Sequence, residues 1–115
     1  PNHTYDENTI KALRESGVKY IIDGYGLFPY TENDMIFIPQ LFYKEIILPF
    51  GIQSTQMHLN YWKKNDYEIF ENFILNNHNK VITFEDCINK TNDSLFSKLI
   101  NLGTKTSLKS LRYFR

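Results

Sequence analysis

Hydrophobic residues fall along this chain in short blocks, and the spacing within the blocks changes from helical to strand-like and back. Asp6 stands where an N-cap accepts amide hydrogen bonds, Glu7 suits a first turn, and Ile10 and Leu13 share one face with Ala12 beside them. That spacing predicts a helix over about Glu7 to Ser16, with Gly17 as its C-terminal stop. Val18 to Ile22 predicts a short strand ending at Asp23. Met35-Ile36-Phe37-Ile38 predicts another, stopped by Pro39, which has no amide hydrogen to extend a ladder. Between the two, Gly24 to Tyr30 reads as a Gly-punctuated aromatic loop and Thr31 to Asp34 as a turn. Leu41 to Phe50 shows no assignable period.

After the Pro49-Phe50-Gly51 turn, Ile52 to Leu59 predicts a third strand, carrying His58 at its carboxyl end. Asn65 and Glu68 have capping-box spacing for a helix from Asp66 to about Asn76, with Ile69, Phe70, Phe73 and Ile74 on its buried face. His78 falls in the polar turn beyond it, where a partial positive charge suits the helix dipole. Val81 to Phe84 predicts a further strand, and Thr83 is placed to cap a helical turn through Glu85, Asp86 and Ile88. Thr91 to Asp93 interrupts. Ser94 to Leu102 predicts a last full helix, with Leu95, Phe96, Leu99 and Ile100 as its apolar residues and Gly103 as its stop. The order α-β-β-β-α-β-α favours an α/β assembly.

Composition narrows the class. At 115 residues the chain has room for one small domain with a core of its own. Eight Tyr, nine Phe and one Trp supply core bulk, and in a cleft they would also suit stacking on sugar rings. Formal charge is zero, so no overall field recruits nucleic acid or an anionic membrane, and neither partner is expected. The local exception lies beyond Gly103, where Lys105, Lys109, Arg112 and Arg115 stand without an acid, as a solvated helix face or a frayed end. One cysteine, Cys87, rules out an intramolecular disulfide or a cysteine-cluster metal site. No apolar run has the roughly 20 residues that span a bilayer, and no signal-peptide pattern is visible. A cytoplasmic location is slightly favoured.

His58 carries the chemical reading. A titratable side chain at the carboxyl end of a strand, just before the loop to a helix, is where α/β folds place chemistry. The alternative is a core or rim histidine hydrogen-bonded to backbone. Asp23 ends its strand either as an orienting partner for a histidine acid or as a turn residue. Tyr25 and Trp62 can present stacking faces to a sugar or fill the core. His3 is a substrate contact or an exposed near-terminal side chain.

Several segments, taken in order, resemble a known family. They are Pro1-Asn2-His3-Thr4-Tyr5-Asp6-Glu7-Asn8-Thr9-Ile10-Lys11-Ala12-Leu13, Gly17-Val18-Lys19-Tyr20-Ile21-Ile22-Asp23-Gly24, Phe37-Ile38-Pro39-Gln40, Pro49-Phe50-Gly51, Met57-His58-Leu59-Asn60 and Ile82-Thr83-Phe84-Glu85-Asp86. Together they resemble the later part of polysaccharide deacetylase-like domains, relatives of the NodB-homology carbohydrate esterases, over about residues 1–89. The resemblance implies a partial, irregular (β/α)-barrel of which this chain is the C-terminal portion. It also implies removal of acetyl groups from N-acetylated sugars by a metal-activated water. His58 matches the histidine that protonates the leaving amine, and Asp23 lies near the aspartate that orients it.

A divalent metal, zinc or similar, is expected of that family. Its early Asp-Asp and His-x-x-x-His motifs have no counterpart here, so no metal ligands are evident in this chain. The implied partner is a glycan or acetylated sugar. A homodimer or a missing N-terminal half is expected to cover the faces that a partial barrel leaves open. The alternative is a non-catalytic carbohydrate-binding or protein-interaction module derived from the same fold.

Overall fold

The computed structural model describes residues 5–113. In chain order these form α1 (Glu7–Glu15), β1 (Tyr20–Ile22), β2 (Tyr30–Glu32), β3 (Met35–Ile38), α2 (Lys64–Asn77), α3 (Phe84–Asn89) and α4 (Leu95–Tyr113), with single 3-10 turns at Leu59–Tyr61 and His78–Lys80. His3 and Arg115 lie outside the described residues.

The first helix forms as its sequence dictates. The Asp6 carboxylate accepts from Thr9 N at 2.8 Å and from the Thr9 hydroxyl at 3.0 Å, which satisfies an amide that the helix start leaves bare. Gly17, at φ 82°, closes the other end, and Val18 N returns to Leu13 O at 3.0 Å. Ile10 is the buried residue of this helix. It meets Met35 and Phe37 from β3, and Leu13, Val18, Ile21 and Tyr30 pack around them.

The sheet has the order β1-β3-β2. β1 runs parallel to β3, with Ile21 opposite Phe37 and Ile22 opposite Ile38. β2 runs antiparallel to β3, with Tyr30 opposite Phe37. The β2–β3 connection is a two-residue hairpin whose centre, Asn33 and Asp34, has φ of 51° and 60°. Positive φ at both positions suits the right-handed twist of the paired strands, and Asn and Asp adopt it more readily than other non-glycine residues. The expected turn is therefore present, and Tyr30–Glu32 before it is a strand rather than loop. Asp93 fastens that strand from outside, accepting from Thr31 N and the Thr31 hydroxyl at 2.7 Å each.

Four expectations are corrected. Ile52 to Leu59 is not a strand and does not join the β1-β3-β2 sheet. Its backbone bonds to loops instead: Ile52 N to Leu27 O at 2.7 Å, Ser54 N to Pro39 O at 2.8 Å, and one parallel bridge from Thr55 to Phe42. Val81 to Phe84 is also not a strand. Its last residue enters α3, and Thr83 caps that helix by accepting from Asp86 N at 3.1 Å. α2 begins at Lys64 rather than Asp66, and Asp66 is the residue that reaches back to Lys63 N, at 2.7 Å. Finally, Gly103 does not stop the last helix. It lies inside α4, its φ is not positive, and the chain continues helical to Tyr113.

Coverage of the apolar surface is uneven. Phe70, Phe73 and Ile74 of α2 are half-buried, Ile69 is exposed, and the helix has no buried residue. Tyr20 and Ile22 of β1 are exposed, as are Val81 and Phe84. The outer edge of β1 pairs with no strand among the described residues. Three strands leave this sheet open.

Candidate functional site

Because β1 and β3 are parallel, they deliver their carboxyl ends to the same side. β1 runs into Asp23 and Gly24, and β3 into Pro39 and Gln40. Gln40 N donates to Gly24 O at 3.3 Å. The segment that leads to His58 is laced across this end: the Ser54 hydroxyl donates to Pro39 O at 3.0 Å, and Gln40 Nε2 donates to Gln56 Oε1 at 2.9 Å. His58 itself is exposed at the start of the Leu59–Tyr61 turn, its ring centroid 6.3 Å from that of Tyr61.

Asp23 is half-buried and turned to other partners. Its carboxylate accepts from Gly24 N at 2.7 Å and from the Tyr5 hydroxyl. No hydrogen bond joins it to His58 among the described residues. Trp62 packs edge-on against Tyr67, with centroids 5.0 Å apart, and lies against Phe70 at 5.4 Å. It braces the start of α2, and the more exposed aromatic beside it is Tyr61, 82% exposed. His3 lies outside the described residues. His78 is exposed as expected, with Nδ1 3.0 Å from Leu75 O at the end of α2.

What the structure does assemble around Asp23 is a group of phenols and carboxylates. Burial, followed by the charge of Asp23, pushes the Tyr5 hydroxyl up to about 12. Burial, followed by the charges of Glu32, Tyr5 and Asp23, raises Tyr30 as well. The Tyr30 ring stacks on Phe37 at 5.4 Å and 7°, and its hydroxyl comes within 2.5 Å of where a Cβ on Gly24 would stand. Glycine is therefore required there, at φ 115°. Tyr5, Glu7, Arg14, Tyr30, Glu32 and Lys105 line an open cavity of about 640 Å³ between α1, β2 and α4. Tyr30, Glu32 and Lys105 also border a neighbouring cavity of about 230 Å³, reached by Tyr25, Lys98 and Asn101.

Of the residues expected from the sequence, Asp23 and Tyr25 belong to this group and His58 does not. Tyr5, Tyr30 and Glu32 were not singled out. The signal for Tyr30 and Glu32 was the Asn33-Asp34 pair, which marks a hairpin and turns the residues before it into a strand.

The phenols make alkaline titration a test. Both hydroxyls have folded-state values above the unfolded one, so the unfolded chain gives up its protons first as pH rises. The contribution to stability is full below about pH 10 and is lost as pH rises toward 12 and beyond. Absorbance at 295 nm should show Tyr5 and Tyr30 ionising late, and Tyr5→Phe should remove one late step. Absence of any late step would contradict the cluster.

A metal centre does not emerge from these residues. Among the described residues, no group of three or more His, Cys, Asp or Glu side chains could hold an ion, and a zinc-type site needs about three protein ligands at one point. Comparison with protein-family models, with curated proteins and with solved structures found no match to this chain.

Proposed function

We propose that this chain is the C-terminal portion of a polysaccharide deacetylase-like hydrolase that removes acetyl groups from N-acetylated sugars. The observation that carries the reading is the shared carboxyl end of the parallel β1–β3 pair. Asp23 follows one strand, and the segment leading to His58 is hydrogen-bonded across the other through Pro39 and Gln40. The unpaired apolar edge of β1 supports it too, since parallel strands are ordinarily buried within larger sheets.

In this reading His58 protonates the leaving amine from its exposed position beside the carboxyl end. Asp23 holds the loop after β1 in place through Gly24 N and Tyr5, and orients the histidine once substrate closes the site. The metal that activates water in that family would be held by residues that precede these in the fold.

The test is acetate release from N-acetylated chito-oligosaccharides by the longest natural chain containing these residues. His58→Ala should lower kcat by roughly 10²-fold or more, the usual contribution of a positioned acid. Equal rates in wild type and variant would sink the proposal. A non-catalytic carbohydrate-binding module is the second reading, favoured because the Tyr5–Tyr30–Glu32 cleft shares no lining residue with His58. Saturable glycan binding without acetate release, undiminished in His58→Ala, is the result that selects it.

A further inference from the structure

α4 is an amphipathic helix mounted with its polar side inward. Ser97 and Asn101 are its buried residues, and Asn101 Oδ1 accepts from Leu27 N at 3.0 Å to dock the helix on the Gly26 loop. Leu95, Phe96, Leu99 and Leu102 face solvent, with exposures of 76, 73, 59 and 60%. Their spacing of i, i+1, i+4 and i+7 gathers them into one stripe. Burial normally turns such a stripe toward the core; here Ser97 and Asn101 are turned inward, with the hydrogen bond from Leu27, and the stripe is left outside.

The charges on this helix have one sign. Between Leu95 and Tyr113 stand Lys98, Lys105, Lys109 and Arg112 and no acid. By helical register Lys98 and Lys105, at i and i+7, lie on one flank of the stripe. Lys98 is exposed and Lys105 half-exposed. Among the described residues no helix is long and apolar enough to cross a membrane, but an apolar stripe on a helix whose charges are all basic is the pattern of a helix that lies in a lipid interface.

We infer that α4 docks the protein on an anionic lipid surface, inserting Leu95, Phe96, Leu99 and Leu102 among the acyl chains while Lys98 and Lys105 beside them meet the headgroups. Charge complementarity selects this occupant. A second copy of the same helix would bring two all-basic flanks together, whereas an anionic leaflet attracts each lysine and arginine within a Debye length. The neutral charge of the whole chain hid this, since the acids that balance α4 are all on other segments.

Vesicle co-sedimentation tests it. The wild-type protein should pellet with vesicles of phosphatidylcholine and phosphatidylglycerol, and remain in solution with phosphatidylcholine alone. Raising salt should release it. Leu99→Glu should abolish binding, and the pair Lys98→Glu and Lys105→Glu should weaken it at least tenfold; all three sites are surface positions whose change leaves the core untouched. Equal binding to neutral vesicles, or no binding to anionic ones, overturns the inference. So does a wild-type dimer that Leu99→Glu converts to monomer without any vesicle affinity, which would give the stripe to self-association.

Discussion

Phe37→Ala is expected to lose about 3–5 kcal/mol of stability, the usual cost of emptying a buried aromatic site. Phe37 is 3% exposed and sits in the middle strand, opposite Ile21 on one side and Tyr30 on the other. It also carries the stacked Tyr30 ring and touches the Ile10–Met35 centre of the core, so one truncation loosens α1, the sheet and the phenol cluster together. Against a typical domain stability of about 5–15 kcal/mol, the remainder is small. Urea unfolding monitored by tryptophan fluorescence checks this, with Leu99→Ala as the comparison. Leu99 is mostly solvent-exposed, and its truncation should shift stability by less than about 0.5 kcal/mol. Similar midpoints for the two variants would show that the core does not lie where the packing places it.

Gly51→Ala is the second large effect, and its cause is backbone rather than packing. Gly51 has φ 96°, a conformation that side chains disfavour, and a Cβ there would run into the Leu27 carbonyl oxygen. That same oxygen accepts from Ile52 N at 2.7 Å, so the clash cannot be relieved without breaking the bond that anchors the whole crossing segment. A loss of about 2–4 kcal/mol is expected, combining strain with a broken hydrogen bond. Gly103→Ala should act in the opposite sense. Gly103 is inside α4 with nothing within 4 Å of a new Cβ, and alanine there should stabilise by up to about 1 kcal/mol. Thermal melts of the two variants should move apart; a shift in the same direction would refute the assignment of one glycine or the other.

These two effects bear on the proposed site as well. Gly51 starts the segment that crosses the carboxyl ends of β1 and β3, and Phe37 supports the strand against which Asp23 and Tyr30 are set. A defect at either position should lower any sugar-directed activity without touching a reacting group. His58→Ala differs in that it should leave the melting temperature unchanged, since that side chain is exposed.

Local signals were legible in the sequence wherever the physics is local. Asp6 and Thr83 cap helices because their side chains reach an amide three residues on, and Gly17 ends α1 because it alone adopts positive φ without cost. The apolar runs at Tyr20–Ile22 and Met35–Ile38 are strands because nothing else about them competes. Other outcomes depended on partners far along the chain. Ile52 to Leu59 has a strand-like composition, but a strand needs a partner strand, and this segment's backbone bonds to Leu27 O and Pro39 O in loops instead. Gly103 looked like a stop, yet a helix ends only where its last turn gains more by leaving; Thr104 and Thr106 instead bond back to Ile100 O and Leu102 O at 2.9 Å each. The gathering of Tyr5 with Asp23, Tyr30 and Glu32, and the outward stripe of α4, depend on distant contacts, from Tyr5 to Asp23 and from Leu27 to Asn101, 74 positions apart. Periodicity shows that a helix has an apolar face, whereas the rest of the fold decides whether that face turns inward.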